Sequence, residues 1–98
     1  MISTKERATL RRLANPLQPV FQIGKSGVTD SVIESVRTAL VARELVKVRV
    51  LETSPESARE ACDAVCEALS ADPVQVVGRV FVIYRENPDV RAYAERLQ

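Results

Sequence analysis

Apolar and polar positions along this chain recur at two different periods, and the switches between them mark its elements. Val32, Ile33, Val36, Ala39 and Leu40 recur at helical spacing and predict a helix over about residues 30–43, capped by Thr29. Glu34, Arg37 and Thr38 fall on its other side. Ala58, Ala61, Cys62, Val65 and Leu69 predict a second such stripe. Ser54-Pro55-Glu56 supplies its start, with Ser54 as cap and Pro55 at the first helical position, and Asp72-Pro73 marks its end. Nearer the N-terminus, Ser3-Thr4-Lys5-Glu6 fits a capping box. It opens a helix to about Ala14 with Ala8, Leu10, Leu13 and Ala14 as its apolar residues, stopping before Asn15-Pro16.

The period shortens to two in Leu45–Leu51. Val46, Val48 and Val50 share one face there, Lys47 and Arg49 the other. Pro19–Ile23 is a short run of strand formers. Val74–Val77 and Val80–Arg85 are two further strands, and Gly78-Arg79 between them suits a type II′ hairpin. The tail, residues 87–98, carries Asn87-Pro88-Asp89 and then Val90, Tyr93, Ala94 and Leu97, which predict a short amphipathic helix. The order is αβαβαββ plus this tail helix. It predicts one α/β domain over residues 1–98, with a core at about 3–86. A helical crossover makes the first two strands parallel. The hairpin adds two antiparallel strands, so the four-stranded sheet is mixed, and the second and third helices cover one face.

Between the first strand and the second helix lies Gly24-Lys25-Ser26-Gly27. Glycine reaches backbone angles closed to other residues and lets another backbone approach. The N–H groups of the following helix and its dipole favour an anion at this corner, and Lys25 adds a cation. The corner therefore reads as a phosphate-binding loop, with a plain strand-to-helix turn as the competing reading. It is not a nucleotide-binding Gly-x-x-x-x-Gly-Lys-Ser loop, because the position of the first glycine is Pro19 and the intervening residues read as strand.

Composition narrows the function. Ninety-eight residues, 46% of them hydrophobic and 28% charged, suffice for one core. No apolar run approaches the roughly 20 residues of a membrane span. The N-terminal Met1–Arg7 lacks the apolar core of a signal peptide, so a cytoplasmic protein is expected. Net charge is +1, yet residues 1–49 hold nine Lys/Arg against four Asp/Glu, and residues 50–98 hold five against nine. Such asymmetry suggests one side that faces a polyanion. On the first helix, Arg11 and Arg12 fit either a solvated face or a phosphate-contacting rim, while Lys5 and Arg7 favour the former. Cys62 and Cys66 lie four apart, but the chain has no other cysteine and no histidine to complete a tetrahedral metal site. They read as small core hydrophobes. Absence of histidine also removes the ordinary proton shuttle, and no set of residues assigns nucleophile, base and oxyanion donor, so no enzyme and no cofactor are expected.

Several stretches together resemble the CRM domain, the chloroplast RNA splicing and ribosome maturation domain, whose single-domain bacterial members are called YhbY-like. They are Leu13-Ala14-Asn15-Pro16-Leu17, Pro19 to Thr29 with Gly24-Lys25-Ser26-Gly27 inside it, Glu44-Leu45-Val46-Lys47-Val48, and Val74 to Arg85. The match covers about residues 3–86; the tail beyond it is less basic than the family leads one to expect, with Glu86, Asp89 and Glu95. The resemblance implies a fold similar to the C-terminal domain of bacterial initiation factor three. It also implies a glycine loop that clamps a nucleic-acid backbone as KH domains do. The expected partner is RNA, specifically ribosomal RNA of precursor large-subunit particles, bound by a monomer with no membrane or small-molecule substrate. Expected contacts are Gly24, Lys25, Ser26 and Gly27, extended by Lys47, Arg49, Arg11, Arg12 and Arg85. The alternative is a protein-interaction module docking through a sheet edge or the tail helix.

Overall fold

A computed structural model describes residues 2–97, so Met1 and Gln98, which the predicted domain and tail include, lie outside the described residues. The elements follow the expected order: α1 (Thr4–Ala14), β1 (Phe21–Ile23), α2 (Asp30–Arg43), β2 (Leu45–Val50), α3 (Ala58–Leu69), β3 (Asp72–Val77) and β4 (Val80–Tyr84). The sheet order is β1-β2-β4-β3. β1 runs parallel to β2, and β4 is antiparallel to both β2 and β3. At the hairpin Gly78 has φ +58° and Arg79 is not among the positive-φ residues, as a type II′ turn requires.

Each face of the sheet carries its own apolar cluster. On one, Val46, Val48, Val50, Phe81 and Ile83 meet Val36 and Leu40 of α2 and the whole stripe of α3. Cys62 and Cys66 are buried in that stripe as packing residues. The neighbouring Cys62 side chain and burial push the Cys66 thiol up. On the other face, Leu10 and Ala14 of α1 seat on Leu45, Val74, Val82 and Tyr84. α1 begins with the expected capping box, in which Ser3 and Glu6 exchange hydrogen bonds. Arg7 ties it to the edge strand by donating from Nε to the Pro73 carbonyl at 2.9 Å. Ala8, expected in the apolar stripe, is exposed.

Strand ends fall a residue or two inside the sequence-based expectation: β1 starts at Phe21 rather than Pro19, β2 ends at Val50 rather than Leu51 and β4 ends at Tyr84 rather than Arg85. Three further differences have an identifiable cause. α3 starts three residues late. Its cap is Ser57, which forms a second capping box with Glu60, while Ser54-Pro55-Glu56 is a loop. Both serines are candidate caps, but only Ser57 has a glutamate three residues on. β3 begins at Asp72 because α3 already ends at Leu69, where Ser70 takes a left-handed conformation and closes the helix. Pro73 is tolerated at the start of an edge strand with an irregularity between Pro73 and Gln75.

The third difference is the tail, which forms turns and a single 3-10 turn, Ala94–Leu97, rather than an α-helix. Val90 is exposed, whereas Tyr93 and Leu97 pack against the α1 cluster. Tyr93 meets Tyr84 edge-on with ring centroids 6.4 Å apart. What orders the tail is Glu44, the buried charged residue at the α2–β2 junction. Its carboxylate accepts from the Asn87 N–H at 2.9 Å and from the Ala92 N–H, and its carbonyl accepts from the Arg85 N–H. The tail therefore turns Tyr93 and Leu97 toward the α1 cluster.

Candidate nucleic-acid interface

The glycine loop is a β-turn. The Gly27 N–H donates to the Gly24 carbonyl at 2.9 Å, which puts Lys25 and Ser26 at the exposed tip. Its two glycines have different surroundings. At Gly24 a Cβ would make only ordinary contacts, with Leu51 Cδ1 at 3.6 Å and Thr53 Oγ1 at 3.9 Å. Gly27 is buried with φ +71°, and a Cβ there would meet Pro55 Cγ at 2.9 Å and Glu56 Oε2 at 3.0 Å. Glu56 Oε1 accepts from the Val28 N–H at 3.2 Å and from the Ser54 hydroxyl at 3.3 Å.

Thus a carboxylate of the protein already occupies the Gly27–Val28 side of the corner. Thr29 caps α2 by accepting from the Val32 N–H, and Asp30 adds a further negative charge in the first turn. The sequence predicts Glu56 in the first turn of the third helix. It instead reaches across 28 residues of chain to the loop. The Lys25–Ser26 tip remains exposed, and the Gly24 side is not occupied by a carboxylate.

The remaining predicted residues separate into two groups. Arg49 is exposed and pairs in register with Gln22 of β1, two residues before the loop. Lys47 is half-buried on the same face, its Nζ 3.5 Å from the Asn15 carbonyl. α1 covers only the far half of this face. The near half is a groove of about 380 Å³ lined by Lys47, Arg49, Gln75, Val77, Val80 and the α1–β1 loop. Among the described residues its lining contains no acid. Past that loop a second groove contains Arg43 beside Lys47, and it too lacks a lining acid. Arg11 and Arg12 are exposed on α1, on the same side of the sheet.

Arg85 is the residue the fold does not bring to this set. It follows β4 at the opposite end of the sheet, where its Nη1 donates to the Leu69 carbonyl at 3.1 Å and closes the C-terminus of α3. A cation the sequence reading left out is Arg79. It sits on the hairpin beside Val50 and pairs loosely with Glu52 at 3.8 Å. The acidic residues Glu60, Asp63 and Glu67 are exposed on α3, across the sheet from the grooves. The exposed acids of α3 and the cations of the grooves thus lie on opposite sides of the sheet.

The family model of the CRS1 / YhbY (CRM) domain matches residues 2–85. A Bacillus subtilis protein named "Probable RNA-binding protein YqeI" is 37% identical over 91% of this chain and 93% of its own length. A Haemophilus influenzae protein named "RNA-binding protein" is 32% identical over 97% of this chain and 96% of its own. The solution structure of a hypothetical Staphylococcus aureus protein, described there as a candidate RNA-binding protein, superposes with a TM-score of 0.77. It is 39% identical and covers 89% of this chain and 91% of its own. With the family model matched over residues 2–85 and relatives above 30% identity aligned over nearly their whole length, this chain belongs to the CRS1 / YhbY (CRM) domain family.

Proposed function

We propose that this protein binds RNA through its glycine-loop tip and the basic half of the sheet face beside it, and that its target is ribosomal RNA of precursor large-subunit particles. The observation that carries the reading is the juxtaposition of the exposed Lys25–Ser26 turn with an acid-free groove bearing Lys47 and Arg49. The printed names of its relatives support RNA as the ligand. Phosphate contacts position a strand without reading its sequence, so Gly24, Lys25 and Ser26 set affinity rather than choice of site. Gly27 acts beneath them by shaping the turn. Arg11 and Arg12 extend the basic rim along α1. Arg85 contributes by holding α3 in place. The reading places a monomer in the cytoplasm, with neither cofactor nor catalysis in its action.

Lys25→Ala weakens binding about equally for unrelated RNA sequences and lowers the slope of log affinity against log salt by about one. Its melting temperature stays at the wild-type value, since an exposed turn lysine buries little. Filter binding at several salt concentrations measures both quantities. Binding indifferent to salt would remove phosphate contact from the account and favour a protein partner. Crosslinking in cells followed by RNA sequencing tests the target: precursor large-subunit RNA is expected, and recovery of unrelated transcripts alone would overturn it.

A further inference from the structure

We infer that the groove on the open half of the sheet seats an unpaired base of the bound RNA, so that the protein discriminates single-stranded from fully paired RNA. This rests on the RNA-binding reading and deepens it. The groove has three features of a base site beyond its charge. Its floor is apolar: Val77, 59% exposed, lies opposite Val80 in the β3–β4 register, next to Val82. Side-chain amides of Gln18 and Gln75 line it and supply both donors and acceptors for a base edge. Its volume of about 380 Å³ is that of a small-molecule site, within the roughly 300–1,000 Å³ range.

Lys47 and Arg49 stand over this floor and complement the phosphates that flank such a base. The register orders the parts. Arg49 pairs with Gln22 on one side and with Val80 on the other, so a single cross-strand row leads from the strand before the glycine loop through a cation to the apolar floor. A strand whose backbone passes the Lys25 tip can therefore turn a base onto the sheet. An A-form duplex keeps its bases stacked and paired, and presents mainly its backbone to such a surface. No aromatic side chain lines the groove, so the base is held by apolar contact and amide hydrogen bonds rather than by ring stacking.

The test uses two probes, a single-stranded uridine oligonucleotide and a blunt RNA duplex with the same number of phosphates. The full-length wild type is expected to prefer the single strand. Replacing Val77 and Val80 together by Gln removes the apolar floor without changing charge. Single-strand affinity is expected to fall roughly tenfold, with duplex affinity within about twofold of wild type. A thermal melt accompanies each variant. Val77→Gln alone provides a milder change at an exposed position should the pair unfold, with a loss of about threefold expected. Equal losses on both probes would overturn the base site and reduce the groove to a general contact. Unchanged single-strand binding would overturn it too and assign the groove to another occupant, such as an apolar peptide. If the wild type bound neither probe, the RNA-binding reading itself would fall.

Discussion

Gly27→Ala lowers the stability of this protein by about 2–4 kcal/mol, while Gly24→Ala leaves it within about 1 kcal/mol of wild type. Two independent terms act at Gly27. Its φ of +71° strains any residue with a Cβ, at a cost of roughly 1–3 kcal/mol. The added methyl also collides with Pro55, whose ring cannot turn aside, and presses on the Glu56 carboxylate. Glu56 can swing away only by giving up its hydrogen bonds with Val28 and Ser54. Gly24 has neither handicap, since its neighbours stand at van der Waals distance. Chemical denaturation of both variants decides the matter, and a Gly27→Ala protein as stable as wild type would show that the Glu56 contact does not fix the turn. The pair also divides structure from binding. Gly24→Ala should fold normally yet bind RNA several-fold more weakly, because it adds bulk on the side left open to a phosphate. Equal binding by Gly24→Ala and wild type would mean that no backbone approaches there.

Glu44→Ala costs about 2–4 kcal/mol and frees the tail. The carboxylate is wholly buried and accepts two backbone N–H groups 43 and 48 residues away in sequence. Its backbone holds φ 64°, a strained value that the tail contacts offset. Without the carboxylate, the Asn87 and Ala92 N–H groups must reach water, which lifts Tyr93 and Leu97 from the α1 cluster. Amide hydrogen exchange should rise at residues 87–97 before it rises in the sheet, and unchanged protection there would refute the clamp. Tyr84 gives a second readout. Burial, and then the charge of Glu44, push its phenol up to about 12 from an ordinary 10.0. A phenol raised on folding stabilises the protein while it is protonated. That contribution is whole below pH 10 and is lost as pH rises through 12. In Glu44→Ala both causes weaken, so tyrosinate absorbance should appear at lower pH than in wild type.

Sequence alone determined the order of elements, the parallel β1–β2 and antiparallel β3–β4 pairings, the hairpin turn and the apolar faces of α2 and α3. These are local or periodic properties: cap chemistry, proline, and spacings of two or of three to four residues act within a few positions of one another. The glycine turn was legible for the same reason, as was the charge difference between the halves of the chain. What tertiary structure decided is what depends on distant pairs. Glu56 reads as part of a helix start, and only the packed loop before α3 brings it onto Gly27. Glu44 carried no sign of burial, because its partners are backbone N–H groups of the tail, 43 and 48 residues away in sequence. Arg85 and Lys47 are alike as letters at the ends and middles of strands. The sheet order β1-β2-β4-β3 puts Lys47 on the open face and turns Arg85 to the C-terminus of α3. The groove itself exists because α1 is too short to cover the whole sheet, so its lining comes from three strands and a loop that only the packed fold brings together.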